Sequence, residues 1–294
     1  MALGPVDNPF LRMQKLIPKS FFFTVSIDSS SHPYLDSHII QGVIVLPVCL
    51  VLEWFMQAVH LYLAASEAIV CRNFHMLRSV KLVDFYRKET SFLIHCQQKA
   101  EKKWSVSLSS ALDPTILYYR ADLSMINQPD NSNQHLKSDG FMQNATGWPF
   151  DLDAIYMDTI HKGYLPHGEQ FHSISCLDRV SDQGCSAYLK GIRNKNWPGN
   201  WLFDSLIMDG VAQLAGLWTG RMLNKVSLPV GVEELIFYKQ PLPDDALFCI
   251  MRGYVKGNYH TCFDVLLLDK HQKKYVEISG LKMFCYKKTG DIRI

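Results

Sequence analysis

The sequence predicts an α+β protein in which antiparallel sheet packs on a long buried helix, with the plan occurring twice. Three observations predict this. Two segments, Pro47 to Ala64 and Asp204 to Leu223, are apolar almost all round at helical length. Each is followed by a run of β-branched and aromatic segments separated by polar or Asp-Pro breaks. The strands come in runs around one helix per half, so alternating βαβ units are not expected.

Taken in order, residues 1–16 (MALGPVDNPFLRMQKL) lack the apolar core of a signal peptide, and a cytoplasmic protein is expected. The stretch 35–47, LDSHIIQGVIVLP, places His38 between a turn-like segment and the first apolar helix. Within that helix Glu53, Gln57 and His60 recur at i, i+4 and i+7 as one narrow polar stripe. The stripe, and the lack of a second span or flanking basic residues, argue for a buried helix of a soluble protein rather than a membrane crossing. Strands are expected at 67–85, 91–100, 103–112 and 115–126. Residues 127–148 turn polar and read as a linker or long surface connection.

The second half begins with a helix-like YMDTIHKG at 156–163 and strands at 171–180 and 185–192. The second apolar helix follows, then strands at 230–239, 246–255, 262–269 and 275–288. The expected division is an N-terminal unit at 1–126, a linker at 127–150 and a C-terminal unit at 151–294. In the second helix Asp209, Gln213, Gly216 and Gly220 share one face. A carboxylate on the polar stripe of an apolar helix is costly unless paired, hydrogen-bonded or protonated, so Asp209 is the most informative acid in the chain. Asp204 reads as the N-cap of that helix.

Composition narrows the function classes. The 294 residues are 48% hydrophobic, 12% aromatic and 20% charged, with a formal net charge of +2. That is a folded chain with no basic footprint for nucleic acid. The eight cysteines form no CxxC pair and no zinc spacing, and read as free, mostly buried thiols of a reducing compartment. No GxSxG, P-loop, GxGxxG or HExxH pattern is present.

A lone histidine is more often a satisfied core or loop residue than a reacting one. His38 differs because Leu35, His38, Gly42 and Pro47 form LxxHxxxGxxxxP. Gly42 permits close backbone approach to a ligand, Pro47 suits the first turn of a helix, and a helix N-terminus beside His38 offers free N–H groups to a carbonyl.

This pattern resembles the N-terminal motif of the dehydratase domains of polyketide synthases and related polyunsaturated fatty-acid synthases. His167-Gly168-Glu169-Gln170-Phe171 is similar to the family's YGPxF motif, with histidine for tyrosine and glutamate for proline. Asp209 to Gln213, DGVAQ, is similar to the family's DxxxQ, and Asp204-Ser205 stands where the family often has His-Pro or Asp-Pro. LEWFMQA at 52–58 resembles the iterative polyunsaturated-fatty-acid and enediyne branch more than the modular one.

The resemblance covers essentially the whole chain. It implies a double hot-dog fold, two antiparallel sheets each wrapped around a long buried helix, and removal of water from a β-hydroxyacyl thioester on acyl carrier protein. In that reading His38 is the base and Asp209, kept protonated by apolar surroundings, is the acid. Gln213 orients Asp209 or the substrate hydroxyl, while Gly42, Pro47, His167, Gly168 and Phe171 contact substrate. No metal or redox cofactor is implied. The implied partners are acyl carrier protein and neighbouring synthase domains, with a homodimer allowed but not required. Two alternatives stay open: a same-fold isomerase or product-template-like cyclase, and a non-catalytic module that binds an acyl carrier.

Overall fold

The computed structural model describes residues 11–17, 19–63, 68–126, 138–149, 152, 156, 165, 167–238 and 241–287, with backbone alone at 11–17, 61–63 and 138–139. The chain opens with strands β1 (Leu11–Ile17) and β2 (Ser20–Ile27). In β2 the alternation of SFFFTVSI turns Phe21, Phe23, Val25 and Ile27 into the core. A 3-10 turn, Pro33–Ser37, leads to the small hairpin β3 (Ile39–Ile40) and β4 (Val43–Ile44). Helix α1 (Val48–Leu63) follows, then β5 (Ala68–Met76), β6 (Thr90–Ala100), β7 (Lys103–Ser110) and β8 (Leu117–Ile126).

Beyond the one-turn helix α2 (Ser138–Phe141) come β9 (Ile174–Ser181) and β10 (Gly184–Leu189). Helix α3 (Ser205–Leu223) precedes β11 (Lys225–Phe237), β12 (Leu247–Lys256), β13 (His260–Leu268) and β14 (Lys274–Lys287). Asp204 caps α3, its side chain accepting from Ile207 N at 3.0 Å, and Asn224 in left-handed conformation ends it.

All the ladders are antiparallel, and one 12-stranded sheet runs β1-β2-β6-β7-β8-β5-β11-β14-β13-β12-β10-β9. The expectation of two separate sheets is therefore corrected. β5 and β11 pair from Gly231 opposite His75 to Phe237 opposite Ile69, joining the halves edge to edge. Each sheet would otherwise present an open edge at this line, and pairing satisfies those backbone groups. Helix α1 packs on β6, β7 and β8, α3 packs on β9 to β14, and the two helices touch. One continuous core contains residues of both helices and both groups of strands. Burial of each large apolar side chain there contributes about 1.5–3 kcal/mol.

Several expectations shift in detail. β1 and β2 had not been predicted, and the first strand of the next run stops at Met76 instead of reaching Phe85. β11 starts at Lys225, ahead of the expected 230. Residues 127–137 and 150 of the expected linker lie outside the described residues, as does the 156–163 helix apart from Tyr156. The rest of the linker is less detached than its polarity suggested. Thr146 exchanges backbone hydrogen bonds with Val180 at 3.0 and 2.8 Å, and Trp148 Nε1 donates to Arg179 O at 3.1 Å, covering the β9 edge.

The polar stripe of α1 has a structural use. Glu53 is fully buried and accepts from Leu202 N at 2.5 Å and Phe203 N at 3.1 Å, just ahead of α3. Gln57 Nε2 donates to Glu53 Oε1 and to Asn200 O, the latter at 2.9 Å. Burial pushes the Glu53 carboxyl up to about 8, against these N–H donors, which favour its ionised form. Among the described residues no helix is long and apolar enough to cross a membrane. Seven of the eight cysteines are buried, and Cys176 is exposed.

Candidate active site

The site forms where the two halves meet. The 3-10 turn ends at His38, whose N–H donates back to Leu35 O at 3.0 Å. The β3–β4 hairpin then returns the chain past His38. Val45 N donates to His38 O at 3.1 Å, and His38 Nδ1 donates to Val45 O at 2.7 Å. That second bond places the ring hydrogen on Nδ1 and leaves the Nε2 lone pair free.

Gly42 makes the hairpin possible. Gln41 and Gly42 both have positive φ, 52° and 77°, as a type I′ turn requires. A Cβ at Gly42 would meet nothing within 4 Å, so its role here is the turn and not close packing. Its neighbours Gln41 and Val43 line the cavity described below; Gly42 and Pro47 do not.

The HGEQF segment docks directly on His38. His167 and His38 form an isolated antiparallel bridge, and Gly168 N donates to Ser37 O at 2.6 Å. A Cβ at Gly168 would lie 3.0 Å from the Ser37 side chain and 3.1 Å from its Cα, so a glycine is needed for this approach. Phe171 is fully buried, its ring centroid 5.0 Å from that of His38. Neither Gly168 nor Phe171 lines the cavity; they hold the residues that do.

Helix α3 delivers Asp209 and Gln213 one turn apart. Asp209 Oδ2 is 3.2 Å from His167 Nε2, and Asp209 Oδ1 is 3.9 Å from His38 Nε2. Gln213 Nε2 donates to Asp209 Oδ2 at 2.7 Å and to Phe171 O at 2.6 Å. The Gln213 carbonyl accepts from Tyr156 OH at 3.0 Å, and that hydroxyl accepts from Ile174 N at 3.0 Å. Tyr156 stacks on His172 at 3.7 Å. This tyrosine was not singled out in the sequence, because it belongs to no short motif and meets Gln213 only through the fold.

Burial is the strongest influence on His38 and lowers it to about 4, despite the opposing charge of Asp209. The imidazole is thus neutral at ordinary pH. For Asp209, burial alone would raise the carboxyl, but His167, His38 and Gln213 together outweigh it and hold it below the usual carboxylate range. The expectation that apolar surroundings keep Asp209 protonated on its own is corrected, since its immediate neighbours are polar.

His38, His167, Asp209 and Gln213 share one cavity of about 550 Å³, whose remaining wall is largely apolar and includes Val45, Leu46, Met76, Leu165 and Val230. Donor atoms of His38, His167 and Asp209 lie within 4.8 Å of one another, a spacing that a divalent ion could span. Asp209 is already engaged by His167 and Gln213, and His38 already donates from Nδ1, which suits a proton-handling cluster. A neutral base and a carboxyl group side by side on an apolar cavity can abstract one proton and, once the carboxylate has taken up a proton, deliver another.

No curated protein matches the chain by sequence. Solved structures do match over nearly its full length. The dehydratase domain from the CurF module of curacin polyketide synthase superposes with a TM-score of 0.77 at 17% identity, covering 96% of this chain and 100% of that one. The corresponding domain from the CurK module gives 0.76 at 15% identity, covering 95% and 98%. GphF dehydratase 1 gives 0.71 at 14% identity, covering 94% and 98%. Variants of the CurK dehydratase carrying aspartate-to-asparagine or histidine-to-phenylalanine changes are described as inactive mutants. At these identities the likeness establishes the fold. Residues 148–291, the C-terminal half here, match the family described as "Polyketide synthase dehydratase N-terminal domain". Residues 148–291 thus match the polyketide synthase dehydratase family, and the chain as a whole shares the fold of its double hot-dog domains.

Proposed function

We propose that the protein removes water from a β-hydroxyacyl thioester carried on the phosphopantetheine of acyl carrier protein, giving an enoyl thioester. The observation that carries this reading is the meeting of His38 and Asp209, from opposite halves of the chain, at 3.9 Å beside one largely apolar cavity. His38 Nε2, with its lone pair free, takes the α-proton. The thioester carbonyl gains negative charge as that proton leaves. The first turn of α1, whose first residue Val48 lines the cavity, offers N–H groups without intrahelical partners to that oxygen. Asp209, whose neighbours favour its ionised form, must first take up a proton from solvent, which it then gives to the departing β-hydroxyl, and Gln213 fixes its orientation. The apolar wall accommodates the acyl chain and excludes water.

No step requires a metal or redox cofactor. The curacin relatives are dehydratase domains from modules of a polyketide synthase, which supports neighbouring synthase domains as partners here too. The inactive aspartate and histidine variants of the CurK dehydratase support the roles given to Asp209 and His38.

The test is an assay of purified protein with β-hydroxyacyl pantetheine and β-hydroxyacyl carrier protein. Enoyl product is expected from wild type, with a loss of at least about a hundredfold in His38→Ala and Asp209→Asn. Full activity in both variants would overturn the assignment. Running the reaction in deuterated water with mass analysis separates water loss from isomerisation or cyclisation.

A further inference from the structure

Asp209, Gln213 and Gly216 share one face of α3, and the first two belong to the reacting cluster. Gly216 does not, and a serine stands across from it. A Cβ at Gly216 would lie 4.0 Å from Ser227 Oγ and 3.6 Å from the Leu165 side chain, so the absent side chain leaves room between the helix and that hydroxyl.

Ser227 lies on β11, opposite Cys285 of β14. The ladder that joins β11 to β5 runs from Gly231 to Phe237. Ser227, Leu228, Pro229 and Val230 precede its start, and all four line the cavity that holds His38 and Asp209. On this strand the seam between the halves ends where the cavity wall begins.

Ser227 is 8% exposed, and its Oγ is buried with no partner among the described residues. A hydroxyl can donate one hydrogen bond and accept two, and leaving these unmade in a buried place is costly. The other buried polar side chains of the cavity are occupied. His38 Nδ1 donates to Val45 O, and His167 Nε2 faces Asp209. Gln213 donates to Asp209 and to Phe171 O and accepts from Tyr156. Gln41, Ser79 and Lys81, the remaining polar lining residues, are half-buried or exposed. Ser227 thus puts a buried hydrogen-bonding group on the wall that neither the fold nor the elimination uses.

The lining residues that follow it, Leu228, Pro229 and Val230, are apolar. A hydrocarbon chain lying there would bury the hydroxyl without a partner, whereas a chain carrying oxygen or N–H would satisfy it. Gly216 stands at i+7 from Asp209, about 10 Å along α3. That span corresponds to roughly six to eight bonds of about 1.5 Å in a zigzag chain.

We propose that Ser227 is a specificity-determining residue whose hydroxyl recognises an oxygen or N–H group carried on the bound thioester about 10 Å from the β-carbon. The inference rests on the dehydratase reading and deepens it by stating what the thioester carries. Two parts of such a molecule hold this chemistry at that distance: an oxygen substituent on the acyl chain, and the pantetheine amide nearest the sulfur.

Four β-hydroxyacyl thioesters separate the two. They have or lack a further hydroxyl at that distance on the acyl chain, each on N-acetylcysteamine, which keeps the amide, or on a simple alkanethiol, which lacks it. Wild type is expected to favour the thioester carrying the recognised group over its matched analogue by about tenfold or more in kcat/KM. Ser227→Ala is expected to lose that preference, and Ser227→Thr, which keeps a hydroxyl, to retain it. A preference that follows the acyl hydroxyl assigns the contact to the acyl chain; one that follows the amide assigns it to the carrier arm. No preference in wild type, or one that survives in Ser227→Ala, would overturn the proposal. Calorimetry with the corresponding thioesters lacking the β-hydroxyl, which have no water to lose, reads the same comparison as a ratio of Kd values. If no β-hydroxyacyl substrate is dehydrated, the dehydratase reading fails, and the binding comparison still decides the role of Ser227.

Discussion

Glu53, fully buried on α1, accepts hydrogen bonds from the backbone N–H groups of Leu202 and Phe203, the last two residues before the Asp204 cap of α3. The first helix therefore holds the start of the second. A group whose carboxyl lies near 8 in the folded chain takes up protons that the unfolded chain releases near the ordinary glutamate value.

The sign of the resulting pH dependence follows directly. Between about pH 5 and pH 8 the folded form binds more protons at Glu53, so stability falls as pH rises, by up to about 1.4 kcal/mol per unit. Thermal melts across this range are expected to show that slope, and Glu53→Gln is expected to flatten it. The variant should also melt lower at pH 5, because its amide nitrogen replaces one of the two accepting oxygens. A slope unchanged in Glu53→Gln would place the dependence elsewhere.

Gly168→Ala tests the docking of the HGEQF segment on the His38 turn. The new methyl group meets Ser37 at 3.0 Å and strains the 2.6 Å bond from Gly168 N to Ser37 O. A loss of about 1–3 kcal/mol in unfolding free energy is expected. The rate should fall further than the stability explains, because His38 and His167 are held in register by the same contact. Chemical denaturation and kcat measured on the same preparation check both.

Gln213 ties Asp209 to Phe171 O and to Tyr156. Gln213→Ala removes a hydrogen bond to a charged group, worth about 1.5–3 kcal/mol. A drop in kcat of about tenfold to a hundredfold is expected, with KM little changed, since Gln213 acts on the acid group. A rise in KM at constant kcat would assign Gln213 to substrate binding instead.

Incubation with a strong chelator followed by desalting is expected to leave the dehydration rate unchanged, because each proposed step uses side chains and backbone N–H groups only. A loss restored by one added divalent ion would replace the acid–base route by metal-assisted chemistry at His38, His167 and Asp209, whose spacing is compatible with an ion.

Much of this architecture was legible in the chain. The two apolar segments became α1 and α3, Asp204 caps α3 as its residue type suggested, and strands β6, β7 and β8 fall within about a residue or two of the apolar runs that announced them. His38, Asp209, Gln213 and His167 were readable as motif residues and lie together in space. What could not be read depended on long-range pairing. The β5–β11 ladder joins residues far apart in sequence with no local signal, so two sheets were expected in place of one. The ionised state of Asp209 likewise follows from His167 and Gln213 arriving beside it, where the helix sequence alone shows only apolar neighbours. β1 and β2 escaped because polar and basic residues interrupt the apolar positions of β1, while the alternation in β2 is short.

The β5–β11 seam also has a mechanical consequence. Separate subunits meeting only through side chains could slide or tilt, and the gap between residues borne by each would vary with the interface. Here a backbone ladder runs straight through the junction, so the halves that carry His38, beside the β3–β4 hairpin, and Asp209, on α3, share one continuous sheet. Separating the halves at this line would require breaking that ladder, one hydrogen bond after another.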